Sequence, residues 1–406
     1  MTHTFKQFIR DKWHSLSLSC IALTIVVLPA YGQDNIAVSD SIPSADLTKV
    51  ATDSIAKRPN LIQRIINYFD DSNREHPDKK FDITFLGGPS YSASTSLQIA
   101  AVAAGLYRTS RAVPTSESNI SVFAQGSVTG FYRVGVKGNH FSPGDSFRMK
   151  YQADFAHFPL KFWGLNFENQ YNDDNESDYT ELQSVFWGEF QWRLYRHLYL
   201  GPSFNFNYGK ATRVESPWLW EGENPRIFSY GFGFVLSIDT RDYATNASCG
   251  YNIELKQKFF PKAIGNKDAF SSTEFTASIY HKFWSSGIMA FQLHGWGTYG
   301  NTPWTMLPTL DESNSIRSYY EGRYRAKNEI DAVVELRQHI WRRNGLVVWA
   351  GLGTVFDHFH EINGHRLLPS YGIGYRWEFK KRVNVRVDFG MGKHSHAIGF
   401  GLNETF

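Results

Sequence analysis

The stretch "SIRSYYEGRYRAKNEIDAVVELR", residues 315–337, places many guanidinium and phenol groups directly before a strand-like segment. Its first eleven positions hold three arginines and three tyrosines: Arg317, Arg323 and Arg325, and Tyr319, Tyr320 and Tyr324. A planar guanidinium binds phosphates and carboxylates through several hydrogen bonds and stacks on aromatic rings. The cluster is compatible with a nucleic-acid patch, a catalytic group, or a loop held in a polar interior.

Two further stretches carry groups that could act on lipid or bind a metal. They are "FDHFHEINGHR" (356–366), with His358, His360, Glu361 and His365, and "GKHSHAIG" (392–399), with His394, Ser395 and His396. A serine beside a histidine can support nucleophilic hydrolysis, and histidine with glutamate can bind zinc. The spacing matches no catalytic signature, and we place both stretches in neighbouring outer loops. We therefore expect no catalytic residue, no metal and no cofactor.

The "DTRD" stretch contains Asp239, Arg241 and Asp242. Two carboxylates flanking an arginine could perform acid/base chemistry. Aspartates also cap backbone groups in turns, and these two can pair with the arginine between them. We favour the second interpretation and predict a turn at the periplasmic rim of the fold.

Composition limits the classes of protein that these residues can serve. The chain has 406 residues, 42% hydrophobic and 16% aromatic residues, and a net charge of +3, which argues against a nucleic-acid partner. Residues 1–32 resemble an export signal, with Arg10 and Lys12 before the apolar run "LSLSCIALTIVVLPA" and small residues near "AYG". After cleavage only Cys249 remains, so no intramolecular disulfide can form.

Residues 33–80 differ from the rest of the chain. They begin with the polar stretch "SDSIPSADLTKVATDSIAK", which is typical of a flexible lead. "NLIQRIINYF" (60–69) then spaces its apolar residues as in an amphipathic helix, and "DDSNREHPDKK" ends that pattern. We predict a short periplasmic helix here.

From residue 81 to residue 406, strand-like segments alternate with tight turns and longer loops. The predicted tight turns are "HFPL" (157–160), "LYRHLY" (194–199), "WSSG" (284–287), "WRRNG" (341–345) and "KKRV" (380–383). Longer loops include 172–178, 210–226, 261–269 and the arginine stretch, and "GNHFSPGDSF" (138–147) is predicted as a further outer loop. The tally of about sixteen strands predicts an all-β fold, a sixteen-stranded antiparallel transmembrane β-barrel with a short N-terminal periplasmic helix.

Alternation along the strands predicts which face meets water. In 329–340, charged residues occupy one face and aliphatic residues the other, and 383–389 behaves in the same way. This pattern suits a wall between water and lipid, because only a closed sheet satisfies its own backbone in hydrocarbon. Trp187, Trp192, Tyr195 and Tyr199 are predicted to form interfacial girdles. The end "IGFGLNETF" predicts a last strand closing on Phe406, the C-terminal barrel signal.

Three stretches together resemble the bacterial surface antigen (BamA/TamA) superfamily. "SIDTRDYATNASCGYNIELKQKF" (237–259) resembles its Asp-Thr-Arg-Asp turn, "NSIRSYYEGRYRAKNEIDAVVELR" its arginine loop and next strand, and "VVWAGLGTVF" (347–356) the strand after that. The resemblance covers 81–406 and implies a sixteen-stranded barrel whose long loop lies between the eleventh and twelfth strands. Family members also carry periplasmic POTRA domains; residues 33–80 are too few for one, so the chain resembles a barrel-only member.

The arginine motif departs from the family pattern at several positions. This chain has Asp311, Glu312 and Ser318 where the family has glycines, and Gly351 where it has an aspartate that commonly pairs with the arginine. A buried guanidinium without a carboxylate is costly. We therefore expect Arg317 to pair with Glu335 or, as second choice, Asp388, and Tyr319, Tyr320, Arg323 and Arg325 to complete an inward-folded loop.

The resemblance leaves three functions open. The first is assembly of outer-membrane proteins, or translocation of protein or lipid, with partner proteins of the envelope. The second is a narrow channel plugged by the loop at 300–326, and the third and least favoured is an outer-membrane lipid hydrolase. All three place the chain in the lipid of a Gram-negative outer membrane after export by its signal peptide.

Overall fold

The computed structural model describes residues 81–406, apart from 93, 311–315 and 381. The predicted signal peptide (1–32) and the predicted lead with its helix (33–80) lie outside the described residues. In the described part of the chain, no helix has the length and apolar character needed to cross a membrane.

The all-β prediction is confirmed, and the described residues form eighteen strands rather than sixteen. Sixteen of them form one antiparallel sheet in which the strands follow one another in chain order, and the other two form a separate pair within the connection between the eleventh and twelfth sheet strands. The strands are β1 Phe81–Ser92, β2 Ser96–Tyr107, β3 Ser118–Ser127, β4 Tyr132–Phe141, β5 Phe147–Phe162, β6 Ser177–Tyr195, β7 Leu198–Thr212, β8 Arg226–Asp239, β9 Gly250–Phe260, β10 Phe270–Trp284, β11 Gly287–Gly300, β12 Thr309–Leu310, β13 Tyr324–Arg325, β14 Asn328–Trp341, β15 Asn344–Phe356, β16 Leu368–Lys380, β17 Val383–Gly392 and β18 Ser395–Leu402.

Helical structure in the described residues is confined to short connections. The α-helix α1, Phe167–Tyr171, begins after Asn166, whose side chain accepts a hydrogen bond from Asn169 N at 2.9 Å. Single 3₁₀ turns occur at Pro143–Asp145, Asp173–Asn175, Pro217–Trp220, Lys262–Ile264, Trp304–Met306 and Phe359–Glu361.

The connections differ at the two ends of the sheet. At one end, which we call the short-turn end, β6–β7, β10–β11, β14–β15 and β16–β17 are joined by two residues each. At the other end, the long-loop end, lie the connections 163–176, 213–225, 261–269, 301–327 and 357–367. The predicted asymmetry between tight turns and long loops is present at these connections, but 108–117 and 240–249 at the short-turn end are long, and 393–394 at the long-loop end has two residues.

Two predicted connections are wrong. "HFPL" (157–160) lies inside β5, where Pro159 is paired with Thr180 of β6. The pairing of β5 with β4 ends at His157, so Pro159 occupies an edge where no backbone N–H is needed. The stretch 138–147 forms the end of β4 and a tight turn at the short-turn end, because Ser142 Oγ accepts from Phe147 N at 2.8 Å and closes it.

The two faces of the sheet have opposite character. In β14, Glu329, Asp331 and Glu335 are buried on the inner face, the face that the loop 301–327 covers. Ile330 and Val334 are 43% and 42% exposed on the outer face. Apolar residues thus face outward and charged residues inward, which is the reverse of a water-soluble sandwich.

Large aromatic side chains near the short-turn end divide between these faces. Trp192 and Tyr195 are 50% and 63% exposed on the outer face, as a girdle requires. Tyr199 is buried on the inner face, where the guanidinium of Arg148 lies 3.8 Å from its ring centroid, so its predicted girdle position is wrong. Trp187 lines an inner cavity of about 290 Å³, so its predicted girdle position is wrong as well.

The first and last strands of the sheet lie side by side. Cα atoms of β1 and β18 approach within 8 Å, while no register of paired residues joins these two strands in the described chain. β18 is also short, with 8 residues against the 19 of β6. The sheet therefore has two neighbouring edges, β1 and β18.

Candidate functional site

The loop 301–327 connects β11 to β14, and its described parts, 301–310 and 316–327, lie on the inner face of the sheet. Its two short strands pair through Thr309 with Arg325 and Leu310 with Tyr324. Leu310, Ile316 and Tyr319 are fully buried in an apolar cluster with side chains of β14, β15 and β16. The loop is therefore a packed part of the interior, in the place between the eleventh and twelfth sheet strands where the motif puts it.

Arg317 is held by two carboxylates from different strands. Its guanidinium contacts Glu335 of β14 and donates to Asp388 Oδ2 of β17 at 3.2 Å. The guanidinium carbon also lies 4.0 Å from the ring centroid of Trp349, which adds a cation–π contact. One loop side chain thus joins β14, β15 and β17.

The two carboxylates belong to a larger buried ion network. Its members alternate in sign and comprise Arg317, Arg337, Arg376 and Arg386 with Glu335, Asp388 and Glu404. Arg376 donates to Asp388 at 2.5 Å and to Glu404 at 2.8 Å. Because buried charges are stable only when paired and hydrogen-bonded, each arginine depends on the carboxylates beside it.

Close backbone approach explains two glycines beneath the loop. A Cβ at Gly390 of β17 would lie 2.4 Å from the carbonyl oxygen of Arg317. A Cβ at Gly351 of β15 would lie 2.5 Å from Val333 and 3.2 Å from Ile316. A side chain at 351 would therefore displace Ile316, so the carboxylates that pair with Arg317 come from β14 and β17 instead.

The residues after Arg317 seat the loop through polar contacts. Ser318 Oγ lies 2.6 Å from Ser370 Oγ and donates to Met391 O at 3.0 Å. Tyr319 Oη donates to Pro369 O at 2.7 Å, and Tyr320 Oη accepts from Lys161 N at 3.2 Å. Burial raises the pKa of both phenols above the ordinary value, so both remain neutral.

Arg323 and Arg325 anchor the return of the loop to helix α1. Arg323 donates to Gln170 O at 3.0 Å and to Asp173 at 2.6 Å. The side chain of Gln170 bonds both the N–H of Arg325 at 3.1 Å and its carbonyl oxygen at 2.8 Å. Sequence reasoning missed Gln170, because a glutamine in a short polar segment carries no signal of burial.

The predicted rim turn lies at the short-turn end. Arg241 donates to both carboxylate oxygens of Asp239 at 3.0 Å each. Asp242 accepts from Ser248 N at 2.8 Å and Cys249 N at 3.3 Å, which closes the loop 240–249. Burial alone would raise the pKa of Asp242, but these hydrogen bonds favour the carboxylate and the net pKa is lowered.

The chain end departs from the predicted last strand. β18 ends at Leu402, and residues 403–406 turn to the inner face. Glu404 pairs with Arg376 and accepts from Asn384 at 2.6 Å, while Arg337 donates to Phe406 O at 2.8 Å. Phe406 therefore does not continue the outward alternation, because buried arginines bind this C-terminal tail (403–406) inside.

The predicted histidine clusters lie at the long-loop end, and among the described residues no histidine accepts a hydrogen bond from Ser395. Ser395 Oγ donates to Ser318 O at 2.6 Å, so its hydroxyl holds the arginine loop. His394 lies beside the ring of Tyr171 with 6.1 Å between centroids. The rings of His358 and His360 stack at 5.5 Å in an exposed 3₁₀ turn.

Solved structures of other proteins show which fold this chain has. No family model matches the sequence, and no curated protein matches it. The structure of BamA from Haemophilus ducreyi lacking POTRA domains 1–3 is similar at a TM-score of 0.53 and 12% identity, covering 80% of this chain and 70% of that chain. The structure of CdiB from Escherichia coli is less similar, with a TM-score of 0.48 and 9% identity. The match covers 84% of this chain and 70% of the CdiB chain. The described residues therefore share the fold of BamA.

Proposed function

We propose that this protein is an outer-membrane β-barrel of a Gram-negative bacterium that helps to assemble outer-membrane proteins, or to translocate protein or lipid, with partner proteins of the envelope. The role is non-enzymatic. The export signal at 1–32 and the periplasmic lead at 33–80 belong to this proposal, since delivery to the outer membrane requires export.

The division of the two faces supports a membrane location. An apolar outer face suits hydrocarbon, and a sheet in hydrocarbon must satisfy its backbone groups internally. The first and last strands, β1 and β18, lie side by side, so the sheet can close into a barrel between them. We propose that the barrel closes at this seam, the junction between β1 and β18.

The observation that carries the assembly role is the short last strand at this seam, which no register of paired residues joins to β1 in the described chain. β18 has only 8 residues, and the tail that follows it is bound inside by Arg376, by Arg337 and by backbone hydrogen bonds to Asn384 and Thr245. A strand at the edge of a sheet is a template for another strand. We propose that a client strand pairs at this seam while it enters the membrane.

A photo-crosslinking experiment tests the seam directly. A crosslinking residue at Ile398 of β18 should capture newly exported outer-membrane proteins, while the same residue at Ile279 of β10, in the middle of the sheet, serves as the matched control. Depletion of this protein from cells should also lower the levels of other outer-membrane proteins. Other envelope proteins should co-purify with it. Equal capture at both positions, with unchanged protein levels on depletion, would contradict the assembly role.

The packed loop favours a channel as the second candidate. Leu310, Ile316 and Arg317 are almost fully buried on the inner face, where a plug would lie. Steady conductance of the intact protein in planar bilayers would support this candidate. Absence of conductance after replacement of 301–326 by a short glycine–serine linker would exclude it.

A lipid hydrolase is the least supported candidate. The hydroxyl of Ser395 is committed to Ser318 O, whereas an activated serine needs a hydrogen bond to a base. The hydrolase candidate would be supported if the refolded protein hydrolysed phospholipid and the Ser395→Ala variant did not.

A further inference from the structure

Three side chains with metal-binding groups meet on the inner face at β11 and β14. They are His294, Glu329 and Asp331, and their ligand atoms all lie within 4.8 Å of one another. We propose that they form a binding site for one divalent transition-metal ion of the Zn²⁺ class. The proposal does not depend on the role of the protein in assembly.

The strand register explains why these residues meet. His294 of β11 is directly opposite Asp331 of β14, and Trp296 is opposite Glu329. Residues two apart on a strand share a face, so both carboxylates of β14 point to the side where His294 lies. The site is therefore built on paired strands in the middle of the sheet, which hold its ligands rigidly.

The distances match neighbouring ligands of one ion. His294 Nδ1 lies 2.9 Å from Glu329 Oε2 and 3.2 Å from Asp331 Oδ2. Ligands about 2.0–2.2 Å from zinc, at angles between octahedral and tetrahedral, lie about 2.9–3.5 Å from each other. A single ring N–H cannot donate well to two carboxylates, whereas one ion can bind all three groups.

Glu329 supplies an independent observation. It is 2% exposed, and neither of its carboxylate oxygens has a hydrogen-bond partner among the described residues. The 2.9 Å approach of His294 is thus an ion-pair contact without hydrogen-bond geometry. A buried carboxylate without donors is costly, and a cation at the centre of the three groups removes that cost.

The second ring nitrogen of His294 also has the surroundings of a metal ligand. Nε2 lies 4.0 Å from Glu274 of β10, which is itself held by Lys256 at 3.3 Å. Metal-binding histidines commonly donate their other ring N–H to a carboxylate, and at 4.0 Å the carboxylate of Glu274 is near Nε2 without being hydrogen-bonded to it. The arrangement therefore has a carboxylate behind the histidine as well as two beside it.

Leu310 of β12 lies close to the proposed site. A Cβ at Gly353 would lie 2.5 Å from Leu310 Cδ1 and 3.2 Å from Asp331 Cβ, so both side chains pack over this glycine. A bound ion would tie β11 to β14. Metal loading should therefore raise the thermal stability of the folded protein.

Metal titration of the tag-free, full mature chain in detergent tests the site. After treatment with EDTA, Co²⁺ binding is followed by visible absorption and Zn²⁺ by competition, and elemental analysis gives the stoichiometry. We expect one ion per chain. Glu329→Gln and Asp331→Asn should weaken binding at least tenfold, whereas Glu181→Gln, at another buried inward glutamate, should bind as the wild type does.

The exposed histidines provide a second control. The double variant His358→Ala and His360→Ala should keep full binding. The proposal is overturned if this variant loses the ion while Glu329→Gln keeps it, or if the folded wild type binds neither Co²⁺ nor Zn²⁺.

A measurement on the wild type alone tests the site even if the variants fail to fold. X-ray absorption of the Zn²⁺-loaded protein should show one imidazole and otherwise oxygen ligands. Two or more imidazoles would place the ion elsewhere and contradict the proposal. Zn²⁺ should also raise the unfolding temperature, and EDTA should reverse the increase.

Discussion

Arg317 and Asp388 are 71 residues apart in sequence and form a buried ion pair with 3.2 Å between Nη1 and Oδ2. The pair connects the long loop to β17, and the contact of the same guanidinium with Glu335 connects it to β14. The loop is therefore fixed to the inner face by charges that only the folded sheet brings together. A substitution that weakens the attachment of the loop should therefore also lower the stability of the sheet.

Arg317→Ala should destabilise the folded protein strongly. The substitution leaves Glu335 and Asp388 with fewer positive partners in a buried place, and removal of one partner of a buried pair costs about 3–5 kcal/mol. The temperature at which the folded band converts on a heat-modifiability gel should fall. Arg108→Ala, at an exposed pair 3.8 Å from Glu117, is the control and should cost less than about 1 kcal/mol. Equal conversion temperatures for both variants would contradict the role of Arg317.

Gly390→Ala should displace the loop without removing a charge. The added Cβ would lie 2.4 Å from Arg317 O, and overpacking of this kind costs about 1–3 kcal/mol. Displacement would expose the bonds after Arg317, Arg323 and Arg325, so trypsin should cut the loop faster. Gly88→Ala is a matched strand glycine with no atom within 4 Å of its Cβ, and its cleavage rate should stay unchanged. A loop that remains resistant in Gly390→Ala would disagree with the close packing.

Glu404→Ala should release the C-terminal tail. Arg376 and Asn384 would lose a partner at 2.8 Å and 2.6 Å, and a lost hydrogen bond to a charged group costs about 1.5–3 kcal/mol. Carboxypeptidase should then remove Phe406 faster from the folded protein. Glu168→Ala, an exposed glutamate, should leave the digestion rate unchanged. Digestion at the wild-type rate in Glu404→Ala would show that the tail is held by other contacts.

Asp242→Asn should loosen the rim loop 240–249. The backbone N–H groups of Ser248 and Cys249 would lose a charged acceptor, so the exposed thiol of Cys249 should react faster with a maleimide at neutral pH. Asp174→Asn, in an exposed turn at the other end, is the control. An unchanged rate in Asp242→Asn would mean that the loop is closed without this carboxylate.

The same variant gives a prediction for pH. The pKa of Asp242 is lowered in the folded state, so its stabilising contribution is present above the unfolded pKa. That contribution is lost as pH falls through the folded pKa. The difference in unfolding temperature between wild type and Asp242→Asn should therefore be largest at neutral pH and shrink in acid. If this difference in unfolding temperature grew as the pH fell, the stabilising role of the Asp242 carboxylate would be contradicted.

Local pattern in the sequence was enough to predict the sheet. Alternation along β14 and β17 indicates which side chains share a face, because successive residues of any strand point to opposite sides. Turn residues likewise predict the order of short and long connections. The prediction failed at 157–160, because whether Pro159 ends a strand or lies at its edge depends on how far the neighbouring strand extends.

Contacts between distant strands could be decided only by the tertiary structure. The residues that surround Arg317 depend on the curvature and register of the whole sheet, so a sequence can nominate Glu335 and Asp388 but cannot show that both reach it. The inward turn of Glu404 and Phe406 likewise depends on Arg376 and Arg337, which other strands supply. The meeting of His294 with Glu329 and Asp331 follows from a cross-strand register that no local spacing contains. Sequence by itself determines the periodicity of each strand, and the folded sheet determines which charges become neighbours.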